Sequence, residues 1–167
     1  VYLTERICGI CSHSHATAFV QAVEEAGGIE APIRAQYIRA IVGELERVHS
    51  HLLWLGVVGH EVGFDTLFMY AWRDREAVMD ILALISGNRV NYGMNTLGGV
   101  RRDLLPEHAN QVLGMLAGLV ARTEYYIKIA TEEPTFKHRL AGAGKLSHEQ
   151  AVDLGAVGPT ARGSGVG

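Results

Sequence analysis

The only two cysteines of the chain, Cys8 and Cys11, stand three residues apart in Glu5-Arg6-Ile7-Cys8-Gly9-Ile10-Cys11, and Ser12-His13-Ser14-His15 follows at once. The spacing falls where a loop enters a helix. Thiolate, not thiol, is the metal ligand and the nucleophile. A helix N-terminus favours negative charge, and Arg6 adds positive charge beside it, so ionised sulfur is favoured here. Gly9 lets the backbone fold tightly enough for both sulfurs to face one atom. On the residues alone, four readings stay open. A thioredoxin-like dithiol wants a βαβ context, which the sequence does not show. A zinc site completed by His13 and His15 would place its second ligand pair unusually close. Half of a split site for a soft metal fits the donor type. An inert pair is the fourth.

Other polar residues are candidates of lesser weight. With His13 and His15 both within four residues of Cys11, one of them is expected to take a role beside the sulfurs, while His13 reads equally as an exposed residue of a first helical turn. His49 and His51 point to different sides of a helix and cannot readily chelate together; one of them is expected to satisfy a core hydrogen bond. Glu44, Glu46 and Arg47 read as a solvated or inter-helix ion-pair face. Trp54, Met69, Tyr70 and Trp72 read as packing residues. In Gly98-Gly99-Val100-Arg101-Arg102-Asp103, paired glycines allow close backbone approach and the arginines can grip an anion in bidentate fashion. A plain connector with a salt bridge to Asp103 explains the same residues.

The elements that must position these groups are helical. A first helix is expected over about Ala16–Glu25, ending at Gly27-Gly28. A second starts at Pro32, a residue suited to a first helical position, and stops near Gly56–Gly59. Ile41, Leu45, Val48, Leu52 and Leu55 form its apolar stripe. A third covers about Thr66–Ser86, with Val78, Ile81, Leu82 and Ile85 inward and Gly87-Asn88 as C-cap. Gly93–Asp103 is a loop. A fourth helix runs from Pro106 to before Pro134 with Leu113, Leu116 and Val120 buried. A short fifth begins at the capping pattern Ser147-His148-Glu149-Gln150. The one weak strand signal is Arg139–Leu146. The fold expected is all-α, a single domain over 1–167: a bundle of long antiparallel helices with a small irregular C-terminal segment.

Composition narrows the setting. With 167 residues, 48% of them hydrophobic, the chain can bury a sizeable core. A net charge of -3 without a basic run argues against nucleic acid. No apolar run is long enough to span a bilayer. Two cysteines without a signal peptide point to a reducing, cytoplasmic setting. The start at Val1 and the tail Gly163-Ser164-Gly165-Val166-Gly167 suggest a piece of a longer protein.

The run Glu5–Cys11 followed by His15 resembles the first cysteine motif of the nickel-iron hydrogenase large subunit. Ile33-Arg34-Ala35-Gln36-Tyr37-Ile38-Arg39, the stretch from Gly43 to His51, Gly98-Gly99-Val100-Arg101 and the stretch from Gly158 to Gly165 are similar to its energy-converting, membrane-associated branch. That branch is related to the 49-kDa, quinone-site subunit of respiratory complex I. The resemblance implies a nickel-iron centre whose iron carries carbon monoxide and cyanide, with Cys8 as a terminal nickel ligand, Cys11 as a bridge between the metals and His15 hydrogen-bonding near the bridging sulfur. It implies reversible interconversion of dihydrogen with protons and electrons. The partners implied are an iron–sulfur small subunit (with Arg101 near its closest cluster), a ferredoxin-type carrier, and membrane subunits that hold the protein on the inner face of the cell membrane. A second cysteine pair, which the family carries near its C-terminus, is absent, so this chain holds half a site and is expected to be inactive alone. The alternative, a quinone-site subunit like that of complex I, generally lacks the paired cysteines.

Overall fold

The structure is a computed structural model describing residues 1–166; Gly167, the last residue of the glycine-rich tail, lies outside the described residues. Among the described residues it is mostly helical, with two short strands. The chain packs as two compact units, Val1–Tyr125 and Tyr126–Gly167.

The first unit opens with a single turn, α1 (Tyr2–Glu5), and the cysteine loop, then α2 (Ser12–Gly27), α3 (Ile33–Glu61) and α4 (Asp65–Ser86). The helix expected from Ala16 starts four residues earlier, so Cys11 itself is the N-cap of α2. Its C-cap is Gly28 at φ 63, the left-handed conformation that glycine adopts without penalty. Helix α3 does not stop near Gly56–Gly59 but continues to Glu61. Those glycines serve packing. A Cβ at Gly56 would stand 2.6 Å from Trp72 Cδ1, and one at Gly59 would stand 3.1 Å from Leu67. They let α4 fold back closely along α3 after the short connection Val62-Gly63-Phe64, and this antiparallel hairpin is the most extensive helix pairing in the chain.

The buried stripe of α3 is Ala35, Ile38, Val42, Leu45, Leu52 and the two glycines, joined by Arg39, Glu46 and His49; Ile41, placed in that stripe by its spacing, is at the surface. The inward face expected of α4, Val78, Ile81, Leu82 and Ile85, is buried, and Gly87 caps its end at φ 82. The segment read as loop contains a minimal hairpin, β1 (Asn95–Thr96) and β2 (Gly99–Val100), with Asn95 opposite Val100 and Thr96 opposite Gly99. Strands of two residues are too short for alternation to show in sequence.

Helix α5 (Pro106–Glu132) has the expected extent. Its inward residues in the first unit, however, are Val112 and Leu119, while Leu113 and Val120 are 65% and 58% exposed and Leu116 is half-buried. Apolar residues occupy both sides of α5, so periodicity finds two candidate faces and cannot choose between them. Its tie to α4 is polar: Arg122 Nε lies 2.6 Å from Asp74 Oδ2, with the guanidinium over the Tyr70 ring.

The second unit holds α6 (Pro134–Leu140), α7 (His148–Asp153) and α8 (Pro159–Gly163). The capping pattern at Ser147 forms in full, with Gln150 N–H donating to Ser147 Oγ at 3.1 Å and Ser147 N–H to Gln150 Oε1 at 2.9 Å. The strand expected over Arg139–Leu146 is absent. Arg139 and Leu140 end α6, and Gly142 and Gly144 carry the chain through turns at φ 79 and 70, which breaks any extended run.

Candidate metal centre

Sulfur and nitrogen donors converge at the start of α2: one ligand atom each from Cys8, Cys11 and His15 lie within 4.8 Å of one another. The turn after α1 brings Cys8 back over the helix start, and His15 is one turn along α2, its N–H donating to Cys11 O at 3.3 Å. The two sulfurs are not equivalent. Cys8 Sγ accepts N–H bonds from Ile10 at 3.4 Å and Cys11 at 3.2 Å. The Cys11 side chain as donor, and then these backbone groups, hold the Cys8 thiol below its ordinary range. The same contact, with burial, pushes the Cys11 thiol up to about 11. Between the two, Cys11 is the donor and Cys8 the acceptor.

The free amides of the helix start do not serve the sulfurs, contrary to the dipole argument from sequence. Glu46, on α3, takes them. Its Oε1 accepts from His13 N–H at 2.6 Å and its Oε2 from Ser14 N–H at 3.0 Å, while the Ser12 and Ser14 hydroxyls donate to it at 3.3 and 2.8 Å. At 2% exposure it is no part of a solvated face; that description fits only Glu44 and Arg47, which pair with each other at the surface. A charged residue among other charges reads as surface in sequence, and only the buried register of α3 could have marked it.

His13 is buried, not exposed. Its Nε2–H donates to Arg39 O at 2.9 Å, and burial holds its basicity down. His49 fills the core role expected for one of the α3 histidines. Arg75 Nη2 donates to its Nδ1 at 3.1 Å, which leaves Nε2–H to donate to Tyr92 Oη at 3.1 Å. Burial, then the Arg75 charge, pulls its pKa down to about 4. His51 is exposed. Glu5 is fully buried; Oε1 accepts Gly93 N–H at 2.8 Å, Oε2 has no partner, and burial raises its pKa.

At the far end of α2, Arg39 and Glu24 form a buried bidentate pair, at 2.9 Å from Nη1 and 2.6 Å from Nη2. Arg39 also donates to Thr96 O and Gly99 O, and Gly98 N–H donates to Glu24 Oε1 at 2.8 Å. This latch anchors the β1–β2 hairpin, beyond which Arg101 lies exposed, donating to Tyr2 Oη with its guanidinium over that ring. Asp103 pairs with neither neighbouring arginine but with Arg34, Nε to Oδ1 at 2.7 Å. A groove of about 1210 Å³ runs beside Cys11, with Thr17, Arg39, Glu46 and Ser50 in its wall.

Two close sulfurs, one with ionisation favoured, and an imidazole fit a soft or borderline metal ion, nickel included, and suit neither magnesium nor calcium. Of the three donors, Cys11 lines the groove.

Residues 1–65 match the family described as nickel-dependent hydrogenase, and residues 61–167 match the family described as respiratory-chain NADH dehydrogenase, 49 Kd subunit. The membrane-bound hydrogenase subunit alpha of Pyrococcus furiosus is 51% identical over 99% of the chain, which spans 39% of that protein. Formate hydrogenlyase subunit 5 of Escherichia coli is 42% identical over 98% of the chain, which spans 29% of it. A chain in the solved structure of the membrane-bound sulfane sulfur reductase, an archaeal respiratory membrane complex, superposes with a TM-score of 0.86 at 30% identity, covering 95% of this chain and 43% of that one. The chain thus spans less than half the length of each of these relatives.

Proposed function

The chain belongs to the family of the 49 Kd subunit of respiratory-chain NADH dehydrogenase, and on that premise we propose that it is the thiolate-bearing helical core of a nickel-iron hydrogenase large subunit. The observation that carries the reading is the convergence of Cys8, Cys11 and His15 within 4.8 Å, in the part of the chain that matches nickel-dependent hydrogenases. The reaction is the reversible interconversion of dihydrogen with two protons and two electrons.

Cys8 and Cys11 would supply the thiolates that hold the nickel-iron group, Cys8 on nickel and Cys11 shared with iron, and His15 would donate a hydrogen bond near the Cys11 sulfur. When bound, the group, whose iron carries carbon monoxide and cyanide, supplies a soft Lewis-acidic centre at which dihydrogen is polarised. The chain's own residues do the rest. The Ile10 and Cys11 amides stabilise thiolate at Cys8. Cys11 must give up a proton to become a ligand, and its raised pKa makes that release strongly pH-dependent. Arg101, beyond the hairpin, faces an iron–sulfur small subunit, and its charge favours the reduced cluster, so Arg101→Ala should lower the cluster potential. Electrons pass on to a ferredoxin-type carrier. The complex is peripheral on the inner face of the membrane through partner subunits, in keeping with the absence, among the described residues, of any helix long and apolar enough to cross it.

The match of residues 61–167 to the complex I subunit favours a second reading, a quinone-site subunit. One experiment separates the two. In the complete subunit within its complex, Cys8→Ser and Cys11→Ser should each abolish hydrogen–deuterium exchange between dihydrogen and water, since serine is a harder and far less acidic ligand. His15→Ala should keep metal but slow turnover by about 10–100-fold. Quinone reduction that survives both cysteine substitutions would establish the second reading instead.

A further inference from the structure

Cys11 occupies the N-cap position of α2, and its side chain makes no capping bond. An N-cap side chain normally accepts from the second or third amide of its helix, and a residue that cannot do so leaves those amides to be satisfied by other groups. In α2 these are the N–H groups of His13 and Ser14, and both donate to Glu46, thirty-odd residues away on α3. Ser12 Oγ, which also donates to Val90 O at 2.7 Å, and Ser14 Oγ complete the set. Serine or aspartate at position 11 would cap the helix but present oxygen where sulfur is needed.

We propose that Glu46 is a positioning residue for the metal centre: by capping α2 from α3 it replaces the cap that Cys11 cannot provide, and so fixes the Cys11 and His15 donors relative to Cys8. The geometry explains how. The Cys11 backbone both donates to Cys8 Sγ and accepts from His15 N–H. All three donors therefore hang on the first turn of α2, and the buried Glu46 carboxylate accepts from four groups of that turn, beside the bonds from Ser12 Oγ to Val90 O and from His13 Nε2–H to Arg39 O. Glutamine has one acceptor oxygen, and its amide nitrogen would meet an N–H donor, so it cannot reproduce the arrangement. The proposal rests on the reading of Cys8 and Cys11 as metal ligands.

The test uses the full 167-residue chain, reduced, with nickel(II) alone as probe. Binding is followed by thiolate-to-nickel charge-transfer absorbance, and amide exchange along α2 by mass spectrometry. Glu46→Gln and Glu46→Ala should weaken nickel binding about tenfold or more, in the range of lost outer ligand supports. The His13 and Ser14 amides should exchange faster while circular dichroism still reports the helices. Glu24→Gln, at the other end of α2, should lower stability but leave nickel affinity within about twofold. In the unsubstituted chain, nickel should slow exchange at His13 and Ser14 more than along the rest of α2, because coupling is reciprocal; this holds the proposal to account even if the Glu46 variants unfold. Glu46→Gln that folds and binds nickel as the unsubstituted chain does, equal weakening by Glu24→Gln, or nickel binding that leaves the two amides unaffected would each overturn it. An unsubstituted chain that gives no charge-transfer band would overturn Cys8, Cys11 and His15 as a nickel site within this chain, while the exchange data on Glu46 would still decide the cap.

Discussion

The two ends of α2 are tied to α3 by buried carboxylates that work in opposite ways. At the C-terminal end Glu24 belongs to α2 and meets a cation, Arg39 of α3, which then reaches past it to the hairpin. At the N-terminal end the carboxylate belongs to α3, and its partners are amides and hydroxyls. An ion pair neutralises charge in place and makes a latch. A carboxylate held by helix amides satisfies the free N–H groups of the turn and faces the positive end of its dipole. The latch stands beneath the hairpin; the capped turn stands beneath the donors.

Breaking the latch should have the largest effect. Arg39→Met leaves Glu24 buried without its cation and removes the bonds to Thr96 and Gly99. A loss of about 3–5 kcal/mol is expected in urea unfolding. Arg39→Met with Glu24→Gln should cost less than the sum of the two single changes, because no unpaired charge remains.

Acid should close this gap. Arg39 holds the Glu24 carboxyl below its ordinary value. A carboxyl depressed in the folded state contributes stability that is present above its unfolded value, near 4.5, and is lost as pH falls through the folded value. The difference between the unsubstituted chain and Arg39→Met should therefore shrink below about pH 4.5. His49 adds a background of the same sign in both. Its folded pKa of about 4 lies below the ordinary imidazole value of 6.5, so the unfolded state binds more protons between them and stability falls as pH drops through that window. Equal slopes for the two proteins below pH 4.5 would contradict the latch.

The other end should be less costly to stability. Glu46→Ala is expected to lose about 1–3 kcal/mol, the scale of a lost cap with buried donors. Ser14→Ala removes one hydroxyl from Glu46 and keeps both amides, so a loss under about 1 kcal/mol should follow. If Ser14→Ala cost as much as Glu46→Ala, the amides would not be the partners that matter.

The same contrast shows what could be read in advance. The convergence of Cys8, Cys11 and His15 was legible, because C-x-x-C followed by histidine is a local pattern and one helical turn suffices to gather it. Val78, Ile81, Leu82 and Ile85 were legible because α4 has one apolar face. Ile41, Leu113 and Val120 were not, because α3 and α5 carry apolar residues on more than one side and spacing alone cannot say which side meets the core. Gly56 and Gly59 looked like a helix end, since close approach to Trp72 and Leu67 depends on a partner helix that sequence does not show. Glu46, Glu24 and Arg39 escaped for one reason: their partners lie 15 to 60 residues away.

The distance between Glu46 and the amides it caps also bears on the order of events during synthesis. His13 emerges 33 residues before Glu46. At about 5–20 residues per second, roughly 2–7 s pass in which the first turn of α2 exists without its cap. During that interval Cys8 and Cys11 lack the tie to α3 that Glu46 provides. The pair takes its folded shape only when α3 docks, so on the proposed reading a metal would be taken up only after folding of a segment that carries none of the proposed ligands.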